Sequence, residues 1–335
     1  MINELVFLTV FHAVLNLIFI KISFNYKLLD YPNYRKKHSK PIPYIGGIAL
    51  SFSYLIIVYF TKTDELANII LSYSFLIAMA GFLDDKFQIS AGAKIALQVI
   101  VIYFVVDKGL FLNNLGIYEY IPYISLGSFS EIFTILCCLF MINSYNYSDG
   151  LDGVAISIFI LIISAFYFYL KMLGINTFND LFLMIIIINI ISLFFNLSNF
   201  NLTKIFLGNS GSNVNGFIIS LFAIFLFIKL NISPSLIIWP LSFLVFEFIS
   251  VNFIRIRFNK KLLSPGLDHV HYELKEKLKL NNFQVLGLII VTNIYFIIMG
   301  WFLYKNIGLD YSIVIFILHF LIYLRLKLYL HKKTS

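Results

Sequence analysis

Carboxylates stand directly beside long apolar runs of this sequence, where they are costly. Asp84 and Asp85 close one apolar run, and Asp149 and Asp152 follow another. An aspartate at the centre of a membrane helix costs roughly 2.5–3.5 kcal/mol, so aspartates this close to such runs need a function. Neighbouring carboxylates repel one another unless a cation or proton lies between them, and Mg²⁺ takes one or two carboxylates together with phosphate oxygens. The pair Asp84–Asp85 therefore indicates either a Mg²⁺ site, which Lys94 could also face, or a solvated helix end.

The segment that contains Asp149 and Asp152 is rich in hydrogen-bonding groups. The amides Asn143 and Asn146 precede the two aspartates, and a glycine follows each aspartate. One Asp-Gly pair is enough for a turn, so the second pair and both asparagines are left without a structural purpose. This pattern favours a site for a polar ligand over a simple turn.

A basic, proline-rich loop over residues 30–47 carries Arg35 and His38 and ends at Gly46-Gly47. Such a loop is typical of the positively charged cytoplasmic side of a membrane protein. The glycine pair also suits close backbone approach, or an anion site at the start of the next helix. Both interpretations stay open.

Two further polar segments come later in the chain. Residues 208–213 read Gly-Asn-Ser-Gly-Ser-Asn and open an apolar run, so their backbone N–H groups could bind phosphate. They lack the Gly-Lys-Ser/Thr ending of a nucleotide-triphosphate loop. His269 and His271 stand two residues apart, a spacing that does not share a helix face and disfavours a helical zinc pair. Binding a diphosphate, orienting a catalytic carboxylate and lying in a solvated loop remain open for them.

The composition excludes whole classes of protein. Hydrophobic residues make up 60% of the 335-residue chain and charged residues 13%, with a mean hydropathy of +0.89. Soluble domains are about 45–50% apolar and about 25% charged. A soluble enzyme, a nucleic-acid binder and a disordered chain are therefore excluded, and we expect a polytopic protein surrounded by membrane lipids. The adjacent Cys137 and Cys138 match no zinc or disulfide framework and are interpreted as packing residues.

The apolar runs predict an all-α membrane bundle of about eleven transmembrane helices. The first run has no cleavage site and is interpreted as an anchor. No repeat or linker divides the runs, so residues 1–335 are predicted to form one domain. The runs cover approximately residues 4–24, 44–61, 66–83, 91–107, 130–145, 154–172, 181–197, 213–230, 235–254, 284–304 and 311–330.

Basic residues predict the orientation of these helices. When the loops are assigned to alternate sides, all but five of the 25 Lys and Arg residues fall on one side. Because cytoplasmic loops carry the basic excess, we expect that side to be cytoplasmic, with the N-terminus outside and the C-terminus inside. All of the polar segments lie on this side. The five exceptions are Lys62, Lys108, Lys171, Lys229 and Lys305.

Taken in order, the polar segments resemble the motifs of the polyprenyl-phosphate N-acetylhexosamine-1-phosphate transferases, and most of all the undecaprenyl-phosphate N-acetylglucosamine-1-phosphate transferase branch. The resemblance covers about residues 30–275. Its most specific motif is Asn-x-x-Asn-x-x-Asp-Gly-x-Asp-Gly over residues 143–153. The other motifs are Pro-x-x-Arg-Lys-x-His before Gly-Gly, Asp84-Asp85, Gly-x-Ser-Gly-Ser at 208–212, and Ser264-Pro265 followed by Asp268-His269-x-His271.

The resemblance implies transfer of a sugar-1-phosphate from a UDP-N-acetylhexosamine to a polyprenyl phosphate, releasing UMP at the cytoplasmic face of the plasma (inner) membrane. It implies Mg²⁺ as the cofactor, with Mn²⁺ as its substitute, and leaves a homodimer open. Asp84 would position or deprotonate the acceptor, and His269 and His271 would contact the diphosphate. The implied catalytic residues are Asp84, Asp85, Asp152, His269 and His271, and those near the metal are Asp85, Asp152 and Asn209. The implied substrate-binding residues are Arg35, His38, Lys94, Asn143, Asn146, Asp149, Gly208 and Ser210.

Three positions depart from the pattern of that family. Asn209 stands where a metal-binding aspartate is usual, Gly266-Leu267 where an Asp-Arg pair is usual, and Tyr272 where a closing histidine is usual. A neutral amide is a poorer Mg²⁺ ligand than a carboxylate. Without the arginine, the chain lacks a guanidinium group that could bind phosphate through two N–H groups at once. Two hypotheses stay open: an active transferase with a modified metal site, and a weak or inactive relative that binds the lipid carrier or partner enzymes. A third and more remote hypothesis is transport, which Glu247 inside the ninth run suggests but no inverted repeat supports.

Overall fold

The computed structural model describes residues 2–32, 40–61, 64–199, 203–261 and 266–332. Over these ranges, 76% of the residues are helical and there is almost no sheet. Within the described ranges, eight helices are long and apolar enough to cross a membrane by length and composition. These features confirm the prediction of an all-α polytopic membrane protein.

Thirteen helices and two short strands follow one another along the described parts of the chain. A 3-10 turn, Gly127–Phe129, leads into the fifth helix. The strands β1 and β2 pair antiparallel. The bounds are α1 Ile2–Asn25, β1 Leu29–Asp30, β2 Ile42–Pro43, α2 Gly46–Thr61, α3 Glu65–Phe87, α4 Ala91–Val106, α5 Ser130–Ser148, α6 Val154–Met172, α7 Asn179–Leu197, α8 Gly208–Leu230, α9 Pro234–Ile237, α10 Ser242–Arg257, α11 Val270–Lys277, α12 Asn282–Asn306 and α13 Leu309–Lys332.

The eleven predicted runs each correspond to helix, with two corrections. The ninth run is not one helix, because the chain breaks between α9 and α10 around Pro240, which has no N–H to donate and disfavours helix in the residue before it. The short helix α11 was not predicted, since its sequence is polar and hydropathy alone cannot reveal it. α2 and α4 are apolar but have only 16 residues each, so the number of membrane crossings stays a prediction.

Helix α8 lies at the centre of the bundle, and its first turns pack tightly against α2 and α3. A β-carbon on Gly81 of α3 would come within 2.5 Å of the carbonyl oxygen of Asn209, and one on Gly47 would overlap the backbone of Gly211. Small residues of this kind allow membrane helices to approach backbone to backbone. The contact brings the end of α3 directly onto the start of α8.

The helices run back and forth so that the polar segments meet at one end of the bundle. α3, α5 and α7 end there, and α4, α6 and α8 begin there. We call this the polar end. At the opposite end, the Asp310 carboxylate accepts the backbone N–H groups of Glu119, Tyr120 and Ile121 at 3.0–3.1 Å, which ties the α4–α5 loop to α13.

Candidate active site

Asp85 caps the start of α8. Its two carboxylate oxygens accept the backbone N–H groups of Asn209 and Ser210 at 3.1 and 3.3 Å. The first N–H groups of a helix have no partner inside the helix, and the helix dipole favours negative charge beside them. The sequence offered these amides to phosphate. In the structure a carboxylate of the chain itself accepts both N–H groups, and the predicted phosphate contact stays a prediction.

Gly208 makes this close arrangement possible. Its φ of +69° lies in the left-handed region, and a β-carbon there would meet the carbonyl of Tyr44 and, at 2.8 Å, the carboxylate of Asp85. A side chain at this position would therefore push Asp85 away from α8.

The amide of Asn146 joins the third motif to α8. Its nitrogen donates to the side-chain oxygen of Asn209 at 3.1 Å and to the hydroxyl of Ser212 at 2.7 Å. Asn143 lies one turn earlier and donates to the carbonyl of Leu139 in its own helix at 2.7 Å. The structure therefore brings Asn146 to the substituted position 209, whereas the role predicted for Asn143 stays a prediction.

Two further carboxylates of the polar end are held by lysines. Lys94 lies 3.0 Å from Asp84, across the turn between α3 and α4. Lys204, just before α8, lies 2.5 Å from Asp152. Each pair is partly buried, so its charges are less screened than those of a surface ion pair.

Asp149 stands apart from these paired carboxylates. Among the described residues no cation pairs with it, although solvent reaches its side chain from one side. Surrounding protein atoms raise the pKa of its carboxyl above the usual range, and the negative charges of Asp85 and Asp152 raise it further. A cation placed here would be attracted by all of these carboxylates.

The residues before α11 are fixed by a buried arginine from α10. The Arg255 guanidinium donates to both oxygens of Asp268 at 2.8 Å, and a third N–H reaches the hydroxyl of Tyr147 at 3.3 Å. Burial alone would raise the pKa of Asp268, but hydrogen bonds and charge from Arg255 lower it to about 2. Gly266, at the departure from the family pattern, lies against this pair.

His269 and His271 face the same way, contrary to the argument from their spacing. His269 precedes α11 in an extended conformation, so its ring lies nearly parallel to that of His271, with centroids 5.8 Å apart. Burial lowers the pKa of His269 to about 4 and that of His271 to about 3, so both rings are neutral at pH 7. We call residues 268–272 the histidine segment.

The histidine segment packs directly onto the third motif. The ring of Tyr147 lies 4.6 Å from that of His269. The Tyr272 hydroxyl donates to the carbonyl of Gly150 at 3.1 Å, and His271 packs against the same glycine. The tyrosine that replaces a histidine thus keeps the segment attached to the turn between Asp149 and Asp152.

The polar end offers oxygen donors but no complete protein cage for a metal. Within the described ranges, no three His, Cys, Asp or Glu side chains are grouped closely enough to hold an ion. Asp85, Asp149 and the amide oxygen of Asn209 are the candidate ligands at this end, and Asp152 is engaged by Lys204. Because Mg²⁺ binds oxygen ligands and keeps waters and substrate phosphates, a partial set of this kind fits its chemistry. Arg35, His38, Ser264 and Pro265 lie outside the described residues.

A family model and a set of relatives match most of the helices that build this end. The model of glycosyl transferase family 4 matches residues 67–227, which include the Asp84, Asn143–Gly153 and 208–212 motifs. The undecaprenyl-phosphate alpha-N-acetylglucosaminyl 1-phosphate transferase of Yersinia pestis is 27% identical over 284 residues, which cover 81% of this chain and 75% of the relative. Over residues 67–227 the chain resembles glycosyl transferase family 4.

Two other relatives of the chain have the same kind of name. The probable undecaprenyl-phosphate N-acetylglucosaminyl 1-phosphate transferase of Bacillus subtilis is 29% identical over 252 residues, 73% of this chain and 69% of the relative. The undecaprenyl-phosphate alpha-N-acetylglucosaminyl 1-phosphate transferase of Escherichia coli K12 is 26% identical over 257 residues, 73% of this chain and 68% of the relative.

Sequence reasoning missed three residues that shape the candidate site: Tyr147, Lys204 and Arg255. Lys204 and Arg255 entered the argument only as charges on the basic side. The signal that could have found them is position, since Lys204 comes four residues before Gly208 and Arg255 stands in the last turn of α10. A basic residue next to a cluster of aspartates is a candidate partner for one of them.

Proposed function

We propose that this chain transfers a sugar-1-phosphate of the N-acetylhexosamine type from a UDP-sugar to a polyprenyl phosphate, releasing UMP. The observation that carries the proposal is the meeting of the Asp84-Asp85 pair, the Asp149–Asp152 turn, the start of α8 and the histidine segment at one end of the bundle. The names of the relatives support an undecaprenyl phosphate acceptor and an N-acetylglucosamine-type donor.

The chemistry suits a site at a membrane surface. A polyprenol lies in the bilayer with its phosphate at the interface, and a phosphate monoester is mostly dianionic at neutral pH. An oxygen of that phosphate attacks the sugar-bearing phosphorus of the donor, the bond to UMP breaks, and UMP leaves with the electron pair. Because the acceptor needs little deprotonation, positioning and charge compensation account for most of the catalysis.

The residues of the chain have separate tasks in this proposal. Lys94 and Asp84 position the acceptor phosphate, while Asn146 and Asp149 orient the donor. The neutral rings of His269 and His271 offer hydrogen bonds to the diphosphate without adding charge. Mg²⁺, with Mn²⁺ as its substitute, would neutralise the diphosphate when bound. Asp85, Asp149 and Asn209 would be its protein ligands, and Asp152 would have to leave Lys204 to join them.

The proposal includes a location and an assembly. The protein lies in the plasma (inner) membrane with its polar end facing the cytoplasm, from which a UDP-sugar arrives. The excess of Lys and Arg in the loops on that side supports this orientation. The product would start a lipid-linked glycan of the cell envelope. A homodimer is proposed as the assembly, and the mass of the protein in detergent tests it.

Release of UMP tests the proposed reaction. The purified chain is incubated with Mg²⁺, undecaprenyl phosphate and each of several UDP-N-acetylhexosamines. We expect UMP with at least one donor, and a drop of about 100-fold or more in Asp149→Asn, which loses a charge from the donor site. The matched control is Asp107→Asn, which lies at the opposite end of the bundle and should retain full activity.

If no donor led to UMP release, the proposal would be contradicted. The result would favour the alternative hypothesis, a weak or inactive relative that binds the lipid carrier or partner enzymes. Equal activity in Asp149→Asn and Asp107→Asn would also contradict the proposal, because the reaction would then take place elsewhere.

A further inference from the structure

A buried cluster of charges lies behind the histidine segment. It consists of Glu247 of α10, Glu273 of α11 and Lys327 of α13, which are 3%, 3% and 1% exposed. The ammonium nitrogen of Lys327 lies 2.9 Å from Glu247 and 3.1 Å from Glu273. Charges are costly to bury unless they are paired, so the two carboxylates depend on this lysine.

One member of the cluster holds the start of α11 directly. The Oε1 atom of Glu247 accepts the backbone N–H of Val270 at 2.7 Å, and it lies 4.0 Å from the Nδ1 atom of His269. Val270 separates the two histidines and is the first residue of α11, whose initial N–H groups have no partner inside the helix. The position of both rings therefore depends on where Glu247 is held.

Helix α13 supplies the other side of the cluster. The Tyr323 hydroxyl donates to the second oxygen of Glu247 at 2.8 Å, and the Nδ1 atom of His331 lies 3.0 Å from Glu273. With Lys327, these are partners from three successive turns of the last helix. α13 lies beyond residues 67–227 and carries none of the motifs, so neither the family match nor the sequence assigned it a part in the site.

We infer that the Glu247–Lys327–Glu273 cluster holds the histidine segment in register with the Asp149–Gly150 turn, which makes Lys327 a positioning residue for donor binding. The inference rests on the proposed function, because it works through the contact of His269 and His271 with the donor diphosphate. Without Lys327, two buried carboxylates would repel each other and move α10 and α11 apart. The histidines would then lose their position over Gly150, whereas the Asp84–Lys94 pair on α3 and α4 would keep its own.

The test separates a positioning effect from a loss of folded protein. Lys327→Met keeps an unbranched side chain of similar length and removes the charge. Its control is Arg325→Met, at an exposed position of the same helix. Full-length proteins are purified in detergent, and kcat and both KM values are measured by UMP release, varying the UDP-sugar and the polyprenyl phosphate in turn.

We expect Lys327→Met to raise the KM for the UDP-sugar about tenfold, as the loss of an orienting partner commonly does, and to leave the KM for polyprenyl phosphate within twofold. A purely structural role would reduce the active fraction, and with it kcat, while both KM values stayed unchanged. Adding Glu273→Gln to Lys327→Met removes one of the repelling charges. The KM for the donor should then return to within about threefold of the parent value.

Three results would overturn the inference: an unchanged KM for the donor, equal changes in both KM values, or a double variant as impaired as Lys327→Met. If Lys327→Met cannot be recovered folded, Glu247→Gln replaces it. That variant keeps an oxygen for Val270 but loses the charge that attracts Lys327, and the same split in KM is expected. Absence of UMP release from the unaltered protein would refute the proposed function instead, so the two failures are distinguishable.

Discussion

Single residues of the site are held by neighbours from other helices, and this pairing sets what each can do. Asp84 is paired with Lys94 and Asp152 with Lys204, while Asp85 caps α8. These contacts keep three carboxylates ordered before any substrate binds. Asp149 has no paired cation among the described residues, so a cation placed beside it would compensate a carboxylate that no lysine or arginine already holds.

The substituted position 209 gives a first prediction. In Asn209→Asp a carboxylate replaces the amide oxygen beside Asp85, and Asn146 can still donate to it. An additional charged oxygen binds Mg²⁺ more tightly, so the Mg²⁺ concentration for half-maximal UMP release should fall by about tenfold. Asn176→Asp, in the exposed loop between α6 and α7, is the control and should not change it. An unchanged or higher Mg²⁺ requirement in Asn209→Asp would show that residue 209 does not contact the metal.

The buried histidines give a prediction about pH. Burial lowers the pKa of His271 to about 3, whereas in the unfolded chain it takes its ordinary value near 6.5. The unfolded state therefore binds more protons below pH 6.5, and stability is lost as the pH falls from there. Between pH 6.5 and 5, the free energy of unfolding of His271→Asn in detergent, measured by thermal unfolding, should fall by about 2 kcal/mol less than that of the parent. Equal losses in the two proteins would mean that His271 is protonated in the folded state.

At the scale of helices, the site depends on how closely α8 approaches α2 and α3. Gly81 and Gly47 allow backbone contact, which places the first N–H groups of α8 within reach of Asp85. A helix pair separated by ordinary side chains would lie 8–10 Å apart between axes, too far for this arrangement. The glycines of α2 and α3 therefore contribute to the site although they carry no chemistry.

Substitution of Gly81 tests this contact. In Gly81→Ala the new methyl group would press on the backbone of Asn209 and Ser210, which cannot move as a side chain can. We expect a loss of about 1–3 kcal/mol in stability, together with lower UMP release, as α8 shifts away from Asp85. Gly92→Ala in α4 is the matched control, because no atom lies within 4 Å of its new methyl group. It should gain about 0.5–1 kcal/mol from higher helix propensity. Equal effects of the two substitutions would contradict the close contact.

At the scale of the whole molecule, the bundle has one polar end and one end without motifs. The first turns of α1 lie beside the end of α2, where the rings of Phe7 and Phe60 are in contact. The last turn of α13 contacts α11 at the polar end through His331 and Glu273. The start of α1 and the end of α13 therefore lie at opposite ends, as an odd number of crossings requires.

Labelling of single cysteines tests the orientation. Leu267 next to the histidine segment and Ile117 at the opposite end are both exposed, so Leu267→Cys and Ile117→Cys should react with an impermeant maleimide. We expect Ile117→Cys to be labelled in intact spheroplasts and Leu267→Cys only in inside-out vesicles. The parent protein is the control, because Cys138 is buried and Cys137 lies within α5. The reverse pattern would invert the predicted topology.

The sequence alone was enough to predict the helices that cross the apolar phase and the residues that gather at one end. The run 154–172 was predicted and found as α6, because hydropathy reports how each stretch interacts with lipid, and every backbone polar group must then be satisfied within its own helix. The same reasoning could not find α11, whose polar composition gives no hydropathy signal. The motif residues were recognisable because polar groups beside apolar runs need a purpose.

Which side chains meet was decided by the tertiary structure alone. Asp85 meets the start of α8 from more than a hundred residues away, and Lys327 reaches Glu247 from 80 residues away. Partners of this kind depend on which helices are neighbours and how each is rotated, and local periodicity contains neither. The sequence therefore determined that the protein lies in a membrane, where its helices run and which polar residues gather at one end. Packing decided that one carboxylate caps a helix, that His269 and His271 face the same way, and that the last helix supports them.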